Sequence, residues 1–514
     1  MNPISIQDLP FFSDLVKDYL KGSKKVQRLH SFYPTMEGLK QALVSKEKNY
    51  TQRNLLQNLL EYNYAGAKNL NHKESENIVL LKENGCAVTT AHQPNLFLGP
   101  LYTLTKAVSV ISLAEQMNEE LGEKKIVPIF VIGSEDHDKE ELLHTYLFGK
   151  KYEWTTEQKG PIGSMIIDDS FIHVLHEWLD AFGNMPYAEE LKGAYLSSYV
   201  LNCTIAKGFA SLLRKLLGSY GLIVLDLNMR EVKEAMVPVF EKEIKESFSF
   251  NTLKSNLDFI RENYSVQAEP RDINLFEYRD GERKRIDKIE ESLLAKLKSS
   301  PESFSPNVIL RPLMQQTVLP SIANIGGGAE VSYWLQLKPI FDSAHVDFPV
   351  ILLRDIVSVL DTKSWEKWTS SGYTELDFFL PINELKKKIA LKDSDLELEF
   401  SRAEKDLTIQ FASLETLMTS IDKSLKGSYE SELVKLKKSL ELLYSKAFKA
   451  EKRKHEESIV TFEKIKSKVF EDNYLIERKE NFSAYYLKGG KDWISDMIAD
   501  SNPLNAEWKL NLIL

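Results

Sequence analysis

The segment GSEDHD, residues 133–138, sets Glu135, Asp136, His137 and Asp138 side by side: three carboxylates and an imidazole within four residues. Flanking acids raise an imidazole's pKa, so His137 is expected to be protonated, able to stabilise charge on a phosphate or to take part in proton transfer. Asp136 and Asp138 could instead hold Mg²⁺ through oxygen ligands. The plainer alternative is a helix N-cap followed by acids that favour the dipole. A second cluster lies in TTAHQPNLFLGP, residues 89–100, where His92, Gln93 and Asn95 precede a helix opening at Gly99 and Pro100. Free amides at such a helix start attract anions; a polar turn is again the alternative. In a third cluster, Gly326, Gly327 and Gly328 leave backbone bare ahead of Glu330, Tyr333 and Trp334, which permits close approach of a ligand. It is neither a P-loop, since no Gly-Lys-Ser/Thr follows, nor the GxGxxG dinucleotide fingerprint. Arg311 and Arg354 are the cationic candidates, each open to a structural ion-pair role instead. His144 does not stand at zinc-motif spacing from His137. KGGK, residues 488–491, is a candidate loop over a phosphate.

Positioning these groups requires a scaffold, and the hydropathy pattern supplies one. Residues 1–80 read as helical and charged. GCAVTTAH (85–92) reads as a buried strand, followed by a helix with the stripe Leu101, Leu104, Ala107, Val108, Ile111 and Ala114 and then a second strand, Ile126 to Ile132. Strand, helix, strand at this spacing is a right-handed βαβ unit with parallel strands. YGLIVLDLN (220–228) and FPVILLRD (348–355) repeat the strand signature. The expected fold is therefore α/β: one doubly wound parallel sheet of these four strands, with ligands beyond its carboxyl edge at AHQPN, GSEDHD, DLN and RD.

The core is expected over 81–228 and 306–381, interrupted by a connecting region at 229–305 that lacks another such strand. Between 383 and 470 there is no proline, and Leu407, Phe411, Leu414, Met418, Ile421 and Leu425 recur in steps of four and three, as do Leu433, Leu436, Leu440, Leu443 and Ala447. This predicts an antiparallel coiled-coil hairpin over 382–470, with arms about 60 Å long, and a homodimer formed through it. The aromatic tail 471–514 is expected to pack back on the core.

A chain of 514 residues needs two or three packed units, and a net charge of −9 argues against nonspecific nucleic-acid binding. The basic runs KGSKK (21–25) and ERKRIDK (282–288) are brief and followed by acids, so they read as solvated faces. Cys86 and Cys203 are the only cysteines, too few for a disulfide framework or a four-cysteine zinc site, and both read as small buried hydrophobes. No apolar run reaches membrane-spanning length and the N-terminus lacks a signal pattern, so a cytoplasmic location without membrane attachment is expected.

Taken together, QPNLFLGPLYTLTKA, VPIFVIGSEDHDKEE, VPVFEKEI, NVILRPLMQQTVLPSIANIGGGAEVSYWLQLKPIF and the long coiled coil resemble the BshC family of bacillithiol biosynthesis. The resemblance implies a Rossmann-type core with connecting regions and a coiled-coil domain, related in plan to class I aminoacyl-tRNA synthetases and nucleotidyltransferases. It also implies a cysteine ligase that joins cysteine to the amine of glucosaminyl malate. Many members carry TGQQ where this sequence has TAHQ, which keeps Gln93 and weakens His92. Many carry GGPGE where Gly326 to Glu330 reads GGGAE. The expected mechanism is activation of cysteine by ATP to an adenylate. His137, with His92, would stabilise phosphate charge; Asp136 or Asp138 would hold Mg²⁺ or the cysteine ammonium; Gln93, Asn95 and the glycine turn would position substrate. The rival classes are a noncatalytic assembly protein working through its coiled coil and a nucleotidyltransferase with another substrate.

Overall fold

The computed structural model describes residues 3–67, 70–287 and 291–513, and its chain divides into two compact units, 1–361 with 475–514 and Thr362–Tyr474. In the first unit, β1 (Cys86–His92) leads through α1 (Leu101–Leu121) to β2 (Ile126–Ile132), and β3 (Ile223–Asp226) follows after a helical excursion. All seven residues of β2 are buried, the continuous apolar run of a parallel strand covered on both faces. The pairings are parallel, with His92 opposite Ile132 and Ile132 opposite Asp226.

The region 229–305 begins with α2 (Arg230–Glu246) and contains β4 (Leu275–Arg279) and β5 (Glu282–Arg285); with β6 (Phe304–Pro306) they form a small antiparallel sheet in the order β5-β4-β6. Asp280 and Gly281 both have positive φ, 55° and 74°, the geometry of the two-residue hairpin turn that Asp-Gly favours. The chain then returns through α3 (Arg311–Val318) to β7 (Ser321–Gly326), α4 (Gly328–Gln336) and β8 (Val350–Leu353).

The main sheet has the order β8-β7-β1-β2-β3. It is the doubly wound parallel sheet expected, but with five strands, because SIANIG at β7 also pairs with β1. Hydropathy hid β7 because its polar groups are satisfied inside the sheet. Thr89 Oγ1 lies 2.8 Å from Ser321 Oγ, and Gln315 Nε2 donates to Thr89 Oγ1 and Asn324 Oδ1 at 3.1 and 3.0 Å. Strand order reverses between β1 and β7, and a crevice at the carboxyl ends is expected at such a switch. The tail belongs to this unit: the strand Glu507–Ile513 pairs in parallel with Ile356–Asp361. KGGK is not a loop. It lies within the helix Ser483–Asp500, where Gly490 (φ 59°) lets the kinked backbone pass Tyr187, and Lys491 pairs with Glu190 at 2.6 Å.

The second unit starts at Thr362, so residues 362–381 fold with the helical region and not with the core. The hairpin itself is shorter than expected: helices Leu396–Ile421 and Lys426–Lys454, of 26 and 29 residues, are joined by a turn at 422–425, giving arms of about 39 and 44 Å. The flanking segments form short helices, Ile382–Ala390 and Glu456–Ser467, in a base where Trp368 stacks on Phe378 with ring centroids 4.2 Å apart. No residue of Leu396–Ile421 is buried, and Leu414, Leu417 and Ile421 are 44, 57 and 71% exposed. Among the described residues no helix is long and apolar enough to cross a membrane.

Candidate active site

A cavity of about 560 Å³ opens beyond the carboxyl edge of the main sheet, lined from His92, Asp136, Asp226, Gly327 and Arg354, one from each strand end or the loop after it. Each of its two walls sets carboxylates against cations.

The first wall is the loop after β2. Glu135 is buried and paired with Lys233 of α2 at 2.6 Å, and Tyr278 Oη donates to it at 3.3 Å. Burial opposes its ionisation, but Lys233, Arg311 and Arg283 outweigh burial and hold the carboxyl below its usual range. Asp136 follows the same logic: burial raises its pKa, and hydrogen-bonded Arg311, Arg283 at 3.8 Å and the Gln93 side chain bring it lower. Arg311, in turn, is disfavoured by burial yet kept firmly charged by Asp136 and Glu135.

Arg283 is the residue that sequence reasoning missed, having placed ERKRIDK on a solvated face. It is buried, its guanidinium stacks 3.8 Å from the Phe276 ring centroid, and it donates to Ser305 Oγ (3.0 Å) and the Pro306 carbonyl (2.9 Å). Burial and neighbouring Arg311 push its pKa down to about 10. The available signal was the Asp280-Gly281 hairpin turn, after which alternation turns every second side chain inward. Lys288 of the same run lies outside the described residues.

His137 lines the cavity but contradicts the expected protonation. Partial burial and Arg283, whose Nη1 is 3.5 Å from Nδ1, lower its pKa against the opposite pull of Asp136 and Asp138. Adjacent acids raise an imidazole only when they are not already answered by nearer cations. Asp138 acts as the N-cap of Lys139–Leu142, accepting from the Glu141 amide at 3.1 Å. Asp136 is bonded to Arg311, Asp138 keeps only one oxygen on its cap, and the described residues contain no cluster of three metal-binding side chains. His144 bonds the Glu140 carbonyl at 2.7 Å and lies outside the lining.

The second wall surrounds the switch between β1 and β7. His92 is buried, with Nδ1 3.0 Å from the Gln93 carbonyl oxygen; burial and Lys106 drive its pKa well down, so it is neutral. Lys106, also buried, donates to the Ala91 carbonyl at 2.8 Å and pairs with Glu330 at 2.6 Å, while Glu330 Oε2 accepts from the Gly327 amide at 2.7 Å. Gly327, Gly328 and Tyr333 line the cavity at the start of α4, and burial and Glu330 push the Tyr333 hydroxyl's pKa upward. Gly326 does not line it. It ends β7, where a Cβ would lie 2.5 Å from the Glu330 side chain. Arg354 is an ion-pair partner and a cavity residue at once: its Nη atoms meet Glu477 at 2.6 and 2.9 Å, yet it borders the cavity and its buried Nε has no partner among the described residues. Exposed Arg478 lies over Tyr102, 5.7 Å from the ring centroid.

Asn95 and Gly99 are not at the site. Asn95 is buried beside Gly99, whose φ is 63°, and Asn481 of the tail donates to the Phe97 and Gly99 carbonyls at 3.0 and 2.7 Å. The first amide of α1, at Leu101, donates to the Glu480 carbonyl at 2.8 Å. The expected anion-binding helix start is thus closed by the tail. Of DLN after β3, from which sequence reasoning chose no residue, Asp226 lines the cavity. Its Oδ1 accepts from Ser134 Oγ (2.6 Å) and the Asn228 amide (2.9 Å), and burial pushes its pKa up to about 6.

The chain matches two family models: the N-terminal Rossmann-like domain of bacillithiol biosynthesis BshC over residues 1–355, and the C-terminal coiled-coil domain of the same family over 357–512. Among curated relatives it is 32% identical to a protein of Flavobacterium johnsoniae across 99% of both chains, and 33% identical to one of Cytophaga hutchinsonii across 94% of both. A Bacillus cereus protein is 25% identical across 97% of both chains. Each of the three bears the name "Putative cysteine ligase BshC".

Proposed function

The chain belongs to the BshC family of bacillithiol biosynthesis, and on that premise we propose that its cavity joins cysteine to the amine of glucosaminyl malate after ATP has activated the cysteine carboxyl. The observation that carries the reading is the two-walled cavity at the strand-order switch. An amide does not form usefully from a carboxylate and an ammonium ion, so the carboxyl needs a better leaving group; a phosphate leaving group wants cations and the amino groups want carboxylates. Arg354 Nε, Arg478 and the amides at the start of α4 are the groups for an anionic phosphate. Asp136, fixed by Arg311 and Gln93, is the group for the cysteine ammonium. Mg²⁺ would accompany the nucleotide phosphates and offset their charge; Asp136 is engaged by Arg311, and exposed Asp138 keeps one oxygen on the Glu141 amide.

The test is incubation with ATP, cysteine and glucosaminyl malate, with the thiol product identified by mass. Pyrophosphate should appear only when ATP and cysteine are both present. Release of inorganic phosphate instead would indicate an acyl phosphate, and no turnover with any nucleotide would remove ATP from the scheme. A noncatalytic assembly role would instead leave cellular function intact after Asp136→Ala and His137→Ala. The exposed apolar residues Leu414, Leu417, Ile421, Leu442 and Leu443 further support self-association through the hairpin, which light scattering on the full chain and on a Leu417→Ser/Ile421→Ser variant checks.

A further inference from the structure

The buried carboxylates of the cavity answer to cations, with one exception. Glu135 has Lys233 at 2.6 Å, Asp136 has Arg311, and Glu330 has Lys106 at 2.6 Å. Asp226, half-buried at the end of β3, has no cation within ion-pair distance among the described residues. Neutral donors, Ser134 Oγ and the Asn228 amide, occupy its Oδ1, and no described residue donates to Oδ2. The groups around it are accounted for: Glu135 opposes its charge, Lys233 favours it but is spent on Glu135, and the Asn63 side chain bonds only its backbone. A carboxylate withdrawn from water without a counter-charge is incomplete, and an entering cation completes it.

In amide formation that cation is at hand, since an aminosugar enters as its ammonium and cannot attack until it loses a proton. We propose that Asp226 is the proton acceptor for the acceptor amine, with its open Oδ2 receiving the ammonium of the aminosugar. This rests on the amide-forming reading above. Oδ2 takes one proton from the ammonium, and the freed nitrogen lone pair forms the bond to the activated cysteinyl carbonyl carbon. The bond from that carbon to the phosphate oxygen breaks, its electron pair leaving with the phosphate, and the second nitrogen proton passes to water. Ser134 is a positioning residue, since its hydroxyl holds Oδ1 and turns Oδ2 to the cavity.

The experiment compares two acceptors on the full chain: glucosaminyl malate, and hydroxylamine, which is largely unprotonated at neutral pH and needs no base. With Asp226→Asn, amide formation is expected to fall by about 10²- to 10⁴-fold, while cysteinyl hydroxamate formation changes less than about tenfold. The wild-type pH profile for the sugar acceptor should show a limb near pH 6, set by Asp226 at about 6, that is absent with hydroxylamine. Ser134→Ala, which keeps the base but removes a bond to its charged form, should move that limb to higher pH; this variant serves also if Asp226→Asn does not fold. Amide formation within threefold of wild type in Asp226→Asn, or equal loss with both acceptors, overturns the proposal. A wild-type chain that makes no hydroxamate from cysteine and ATP overturns the underlying reading instead.

Discussion

Asp136 and Asp226 stand at the carboxyl ends of neighbouring elements of one sheet, face one cavity, and are both penalised by burial, yet they end on opposite sides of the ordinary carboxylate range. Asp136 has two guanidinium groups beside it, from Arg311 and Arg283; Asp226 has a hydroxyl and an amide. Neutral donors offset only part of a desolvation cost that a counter-charge can exceed. Two acids driven apart in pKa by their surroundings suit two tasks, one holding a fixed charge and the other exchanging a proton.

The largest expected effect comes from removing the fixed charge. Asp136→Ala takes from Arg311 its hydrogen-bonded carboxylate and leaves Arg311 and Arg283 with only Glu135 to offset them, so the fold should lose about 3–5 kcal/mol in urea denaturation, and amide formation should fall at least about 100-fold. Because the native Asp136 pKa is lowered, its contribution is fully present above the unfolded value near pH 4 and disappears as pH falls through the native value. The stability gap between wild type and Asp136→Asn should therefore close on acidification below about pH 4. A gap that widens there would show that the arginines do not set the behaviour of Asp136.

Four of the five sheet strands, and the loop carrying Asp136, were legible because continuous apolar runs ending in polar residues are what a covered parallel sheet requires. β7 was not, since Ser321 and Asn324 satisfy one another's neighbours inside the sheet and look like loop residues in a hydropathy pattern. The partners of the acids were less legible still. Arg283 comes from a hairpin about 150 residues beyond Asp136, and nothing local to GSEDHD announces it. That is why the flanking acids alone point to a protonated His137, whereas partial burial and Arg283 lower its pKa. The loop after β1 failed for a similar reason: the tail closes its helix start through Glu480 and Asn481, a contact no local pattern contains.

That loop sharpens the comparison, since Gln93 reaches Asp136 while Gly99 only turns the chain. Gly99→Ala would put a Cβ 2.6 Å from that of Asn95 at a φ of 63°, and should cost about 1–3 kcal/mol. Turnover per folded molecule should be unchanged; a loss of kcat with unaltered stability would return Gly99 to the site. Asp226→Asn should act in the other direction. With its pKa raised to about 6, native Asp226 keeps a proton that the unfolded chain loses near pH 4, so stability falls as pH rises through that window. Removing the charge should raise stability at pH 7 by roughly 1–2 kcal/mol and flatten the fall between pH 4 and 6. A protein made less stable at pH 7 by this change would mean that Asp226 has a counter-charge after all.

The smallest effect is expected at His137, the residue between the two behaviours. Its neighbours Asp136 and Asp138 favour the imidazolium, but partial burial and Arg283 prevail and lower its pKa, so at neutral pH it brings no positive charge to a phosphate. In the proposed scheme that charge comes from Arg354 and Arg478 on the second wall, since Arg311 and Arg283 answer Asp136. His137→Gln retains a hydrogen-bonding side chain without the titration, and should change kcat by less than about threefold, equivalent to roughly 0.7 kcal/mol of barrier, with no change in the pH profile above pH 6. Asp136→Asn combined with His137→Gln should be no worse than the first change alone. A fall of 100-fold in His137→Gln, or a pH limb that disappears with it, would place the proton-exchanging group on the β2 loop and not on β3, and would erase the division of labour between Asp136 and Asp226.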